Sequence, residues 1–293
     1  MNRKFEGMTL FPVPVINFYL IKNADGQKHF FKKRFMKKTI IFSIYLIMVV
    51  SFCYLFSALN ASEYEIKQYL LPKNHPLQIP LKNLFQTPNM FDSPREWHLS
   101  GFQVLDRVHR KLMVARHPTV NNYLFKKFQN TISAKKQLNN YLKRASGAKA
   151  LSQFIIRNHI NHIIVPKKWL YPLPKKFSDS KTKEQTYILI VEEMDICGGG
   201  VDPMGEVALH YQHIQEELLK ELCFVVFYFR GLDSMLHNMP FTYQNKITFI
   251  DTEKWKEKRE GYLQRAMPFL RPESQAYALE IFRALENQEI KLK

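Results

Sequence analysis

Asp233, Asn238 and Asp251 are separated by five and then thirteen residues, in a stretch running Gly231-Leu232-Asp233-Ser-Met-Leu-His-Asn238 and on to Ile250-Asp251-Thr252-Glu253. Carboxylates and amides are oxygen donors suited to hard cations. If the chain folds back so that the three meet, they offer oxygen donors to one hard cation. The plain alternative is an ordinary hairpin whose loop carboxylates are solvated.

The elements that must position these residues follow from periodicity. Met239 to Thr242 and Lys246 to Ile250 read as two short strands around a Tyr-Gln-Asn turn, the second apolar through Ile247, Phe249 and Ile250. Tyr187 to Met194 is an apolar strand closing on Glu192-Glu193-Met194, followed by the turn-rich Asp195-Ile-Cys-Gly198-Gly199-Gly200. Asn122 to Phe128 is a short apolar run with Lys126 and Lys127 at its end. Between these strands, 132–159 has the spacing of one or two helices broken near Ser146-Gly147, and 160–165 is an apolar run stopped by Pro166. From Gly205 to Phe229, Leu209, Ile214, Leu218, Leu222 and Val226 recur at helical spacing, which predicts one long helix.

In this order the landmarks from about Trp97 to Glu253 resemble the protein-kinase-like phosphotransferases. The resemblance implies an α+β, two-lobed fold, with 97–194 as the small lobe and 195–293 as a shortened large lobe with a helical ending. It also implies ATP and magnesium as cofactors and an acceptor that the sequence does not name. Asp233 would orient the acceptor hydroxyl, Asn238 and Asp251 would hold metal, Lys126 would pair with the phosphates, and Glu192 to Met194 would face the adenine. Strand alternation lets only one of Lys126 and Lys127 face the cleft, and the family's aromatic-Lys pattern favours Lys126.

The chain departs from that family at several points. Gly101 is the only glycine between residues 32 and 146, so no glycine-rich loop precedes Lys126. No glutamate occurs between Glu96 and Glu184, so the lysine's usual ion-pair partner is missing and Gln137 or Gln153 would have to hold it. Gly231-Leu232 stand where His-Arg is usual, and Thr252-Glu253 where Phe-Gly is usual; the latter is closer to small-molecule kinases of the same fold. Only 42 residues follow Asp251. Arg271-Pro272-Glu273 reads as a helix start, with proline in the first turn and an acid beside it. Three functions therefore stand open: a divergent phosphotransferase, a catalytically inactive pseudokinase that binds, and an envelope-associated structural α+β domain.

The chain has 293 residues and a net charge of +17, of which residues 1–38 contribute +7, from nine Lys or Arg against Glu6 and Asp25. The remaining lysines are spread out and carry no recognition motif, which argues for a basic surface over nucleic-acid binding. Cys53, Cys197 and Cys223 indicate neither a disulfide framework nor a cysteine-based metal site. His159/His162 and His210/His213 have spacings that could ligate a metal on a helix, but the local sequence adds no cysteine or acid cluster.

Thr39 to Leu59 is a run of 21 uncharged residues behind Lys32-Lys33-Arg34 and Lys37-Lys38, long enough to span a bilayer as an anchor. Read from Met36, it has the basic start, apolar core and small-residue end of a signal peptide, with the mature chain starting near Ser62. Either reading sends the rest of the chain, exported or membrane-anchored, to the non-cytoplasmic side. That compartment normally lacks ATP. Residues 62–96, with Pro72, Pro76, Pro80, Pro88 and Pro94, read as a linker or irregular cover without a long helix.

Overall fold

The computed structural model describes residues 65–86, 90–91, 93–105, 112–128, 132–174, 177, 185–197, 203–257 and 263–288, together with Met48. The chain divides into two units, 1–61 and 62–293, and every described residue except Met48 belongs to the second. The apolar run 39–59 otherwise lies outside the described residues, and no described helix is long and apolar enough to cross a membrane.

The second unit is mixed α+β around an antiparallel sheet. Its strands are β1 (Gln103–Val104), β2 (Leu112–His117), β3 (Val120–Phe128), β5 (Lys168–Pro172) and β6 (Tyr187–Glu192), ordered β1-β2-β3-β6-β5 with every pairing antiparallel. The inner strand β6 is buried continuously from Ile188 to Val191 because both faces of the sheet are covered. Ile188 and Ile190 point into one apolar cluster, Leu189 and Val191 into another.

The first of these clusters is built largely from the proline-rich stretch. Two short helices, α1 (Gln78–Leu84) and α2 (Pro94–Leu99), take Pro80 and Pro94 into their first turns, where a missing N–H costs no helical bond; Ser93 caps α2 by accepting from the Glu96 N–H at 3.2 Å. Leu71, Leu81, Phe85, Met90, Phe91 and Trp97 pack there on Phe125, Ile188 and Ile190. Of the two readings of this stretch, linker or irregular cover, the described residues form a cover. Fully burying side chains of this size contributes roughly 1.5–3 kcal/mol each, so the sheet depends on it.

The other face is covered by α3 (Ala134–Arg157), whose Tyr141 packs on Phe128, Leu170, Leu189 and Val191. The Tyr141 hydroxyl accepts from the Phe128 N–H at 2.8 Å. The helix is continuous through Ser146-Gly147, where the sequence suggested a break. Its C-terminal residues Leu151 and Ile155 leave the sheet and enter a third cluster with helices α4 (Pro203–Gln212), α5 (Glu216–Tyr228) and α6 (Pro272–Glu286). One rigid helix therefore belongs to both halves of the unit.

Two further elements differ from the sequence expectation. The run 160–165 yields only β4 (Ile163–Ile164), which pairs in parallel with β7 (Ile247–Thr248) outside the main sheet. The sheet strand is β5, a few residues on. The expected long helix is two helices, broken at 213–215: Arg271 Nε donates to the Gln212 carbonyl at 2.7 Å, which holds the end of α4, and Gln215 is extended. Leu209, expected on the core stripe, is exposed, whereas Ile214, Leu218, Leu222 and Val226 are buried.

Candidate functional site

The hairpin that carries Asp251 forms as its sequence suggests. Thr242 N–H donates to the Lys246 carbonyl at 2.8 Å, Phe241 bridges Ile247, and Asn245 takes the positive φ, 55°, that the turn requires. Ahead of it, Leu236–Asn238 is a single 3-10 turn. Ile250 N–H donates to the Asn238 carbonyl at 3.0 Å, so the hairpin returns its last residue before Asp251 to Asn238. Asp233 closes a local turn by accepting from Met235 N–H at 3.2 Å, and the same oxygen takes Arg265 at 3.0 Å. The segment expected to face the adenine, Glu192 to Met194, leaves β6 and continues through an Ile196–Thr242 bridge and a 2.8 Å bond from Cys197 N–H to the Phe241 carbonyl. Glu192 accepts from Lys167 N–H at 3.2 Å, and Glu193 pairs with Arg116; Met194 is half-buried.

Asp251 lies among cations. Arg144, on the middle of α3, reaches it at 3.2 Å and also pairs with Glu253, while Glu253 N–H donates to the same Asp251 oxygen at 3.1 Å. Arg144 is only 11% exposed in its side chain. Burial alone would raise the Asp251 pKa, but Arg144, the Glu253 N–H, Lys168 and Lys126 outweigh it and hold the carboxyl below its ordinary 3.8. Lys126 is thus close enough to be felt there, half-buried on the β3 face that α3 covers. Its neighbour Lys127 is buried as well, with Nζ donating to Gln137 Oε1 at 2.6 Å. Gln137, one of the two glutamines offered as a partner for Lys126, holds Lys127, so the strand carries a buried lysine beside the half-buried Lys126.

Nothing in the sequence pattern singles out Lys168, and Thr252 stands out only as part of the Thr252-Glu253 pair after Asp251. Lys168 Nζ donates to the Ile250 carbonyl at 3.0 Å and to Thr252 Oγ1 at 2.9 Å, while the Thr252 hydroxyl donates to the Arg144 carbonyl at 2.7 Å. These bonds tie β5, α3 and the Asp251 segment together. Gly147 permits the approach: a Cβ there would lie 2.2 Å from the Thr252 carbonyl oxygen and 2.6 Å from the Trp255 ring. At the Asp233 loop, a Cβ on Gly231 would lie 1.8 Å from the Lys254 carbonyl oxygen. The two glycines let α3 and the loop close on residues 252–257 from two directions.

Burial, then the charge of Lys126, push the Lys168 pKa well below 10.5, with Arg144 adding to this and Asp251 and Glu253 opposing it. A depressed base binds fewer protons in the folded than in the unfolded chain, so its contribution to stability increases as pH rises from the lowered pKa toward 10.5. Comparing wild type with Lys168→Met isolates the effect. The wild type should gain on the variant between pH 7 and 10 in thermal melts; parallel curves would show that Lys168 is charged throughout.

The donor set does not suit a magnesium ion. Asp251 already accepts two hydrogen bonds, and Arg144, Lys168 and Lys126 surround it. A dication about 5 Å from a guanidinium is repelled by roughly 6–7 kcal/mol at an effective dielectric of 20, so Arg144 would have to leave first. Two cavities, of about 220 and 350 Å³, lie behind α3, lined among others by Gln68, Tyr69, Lys149 and Gln153. Neither is lined by Lys126, Asp233, Asn238 or Asp251. No known protein-family model matches this chain, and no curated protein matches it.

Proposed function

We propose that residues 62–293 are a divergent kinase-like module that binds nucleotide phosphates without magnesium and does not transfer them. One observation carries the reading: Arg144, on the helix that in the family would carry the lysine's glutamate, is locked on Asp251. A carboxylate neutralised by a fixed guanidinium has no need of a metal, and the surplus of cations around it suits an anion.

Two features support the kinase-like part. The succession of β1 to β3, helix α3, then β5 and β6 in the order β1-β2-β3-β6-β5 follows that family's small lobe. The bond from Ile250 to Asn238 joins the Asp233 loop to Asp251, as a catalytic loop and metal aspartate would be joined. Phosphate binding would fall to Lys126, with Glu192 to Met194 against the base.

A titration of fluorescent ATP in excess EDTA tests this. The full chain should bind weakly, and Lys126→Ala should weaken binding about tenfold, the equivalent of about 1.4 kcal/mol. No binding in the wild type would leave the structural-domain reading. The second reading, an active magnesium-dependent phosphotransferase, draws on the same closeness of Lys126 to Asp251 and requires Arg144 to swing away in the working state.

A further inference from the structure

We propose that Cys197, Glu206 and His210 form a zinc site that clamps α4 to the segment following β6. One ligand atom from each, the Cys197 sulfur, a Glu206 carboxylate oxygen and a His210 ring nitrogen, all lie within 4.8 Å of one another. Around tetrahedral zinc such atoms are separated by roughly 3.3–3.6 Å, so an approach of about 1 Å completes the set. Sulfur, imidazole and carboxylate together are zinc ligands, and three protein ligands leave a fourth position for water.

The surroundings hold two of the three in place. Glu206 and His210 are four residues apart on α4, so they share one helix face. His210 stacks on Phe241 with ring centroids 5.0 Å apart and planes 20° from parallel. Phe241 in turn accepts the Cys197 N–H at 2.8 Å, so one residue orients both the histidine and the cysteine backbone. Cys197 is buried, and burial, Glu206 and Asp195 raise its thiol pKa. The acids that disfavour a bare thiolate favour a dication, whose binding would displace the thiol proton to solvent.

A second group, His162, Glu217 and Glu221, is less suited. Both Glu221 carboxylate oxygens are already used, accepting from Asn161 N–H at 3.0 Å and His162 N–H at 2.8 Å. That carboxylate is a structural cap for the turn into β4. Among the described residues, no side-chain hydrogen bond competes for the Cys197 sulfur.

The test uses the full chain with zinc or cobalt alone. Cobalt should give a thiolate charge-transfer band and tetrahedral visible bands, and competing zinc should bind at about one equivalent and raise the melting temperature. Cys197→Ala should abolish the charge-transfer band. His210→Asn, at a half-buried position that can be changed without opening the core, should weaken zinc by at least about a hundredfold, above the loss typical of outer-sphere changes. Cys223→Ala should leave binding unchanged. A folded wild type without the thiolate band would overturn the proposal. So would a band that survives Cys197→Ala, or zinc affinity indifferent to His210→Asn.

Discussion

Gly147→Ala and Gly231→Ala should each lower the melting temperature by about 6–12 °C, the equivalent of about 3 kcal/mol in a unit of this size. Intrinsic propensity predicts the opposite sign at Gly147, because alanine in a helix interior is favoured over glycine by about 1 kcal/mol. The added methyl meets the Thr252 carbonyl at 2.2 Å and the Trp255 ring at 2.6 Å, and in α3 the backbone has nowhere to move without lifting Arg144 from Asp251. At Gly231 the obstacle is backbone on both sides, the Lys254 carbonyl at 1.8 Å and the Glu257 N–H nitrogen at 2.7 Å. Lys143→Ala, on the exposed face of the same helix, should stay within about 0.5 kcal/mol of wild type and serves as control. Melting temperatures unchanged by both glycine substitutions would mean that α3 and the 231–233 loop do not sit against residues 252–257.

The pair between Arg144 and Asp251 gives the second large effect. Removing one member of a buried pair costs about 3–5 kcal/mol, but Asp251 is 34% exposed in its side chain and Glu253 25%, so Asp251→Asn should cost about 1–3 kcal/mol. An aspartate reserved for metal would behave oppositely, with amide replacement neutral or stabilising because it removes a carboxylate in want of a cation. The pH dependence has a definite sign. The Asp251 pKa is lowered in the folded chain, so its contribution is complete above 3.8 and is lost as pH falls through the lowered value. Asp251→Asn should remove that acid limb from a stability profile. Arg144→Gln should show something the wild type lacks: a rise in melting temperature with millimolar magnesium, because the freed carboxylate can then accept a cation. A magnesium shift of equal size in wild type would mean that Arg144 does not guard the site.

What was legible in the sequence had local causes. Strand β3 and the hairpin before Asp251 are apolar runs bounded by turn residues, and α6 begins at Pro272 with Glu273 in its first turn. β5 was hidden because prolines flank it and one ends it, and because Lys168, a charge, sits at its start. The proline-rich stretch reads as a linker or irregular cover because prolines forbid a long helix; it is a cover, and its two helices of seven and six residues carry Pro80 and Pro94 in their first turns. The end of α4 rests on a hydrogen bond from Arg271, 59 residues away, which no local pattern could reveal.

At the site the same division holds. Asp233, Asn238 and Asp251 stood out by spacing, and their loop and hairpin form. Arg144 did not, because a basic residue in a long helix reads as a solvated face; only the docking of α3 through Gly147 turns it onto Asp251. Gly147 itself suggested a helix break, since its reason lies in a neighbour more than a hundred residues away. Cys197 and His210 were each read alone, and they meet only because α4 lies against the segment that leaves β6.

On the proposed function, with Asp251 satisfied by Arg144, nucleotide binding should need no metal. Calorimetric titration of the full chain with ATP, once with excess magnesium and once with excess EDTA, decides the point. The expected result is weak binding, with affinity in EDTA equal to or greater than that in magnesium, and no release or transfer of phosphate in either. Binding that appears only with magnesium, accompanied by turnover that Asp251→Asn abolishes, would contradict it.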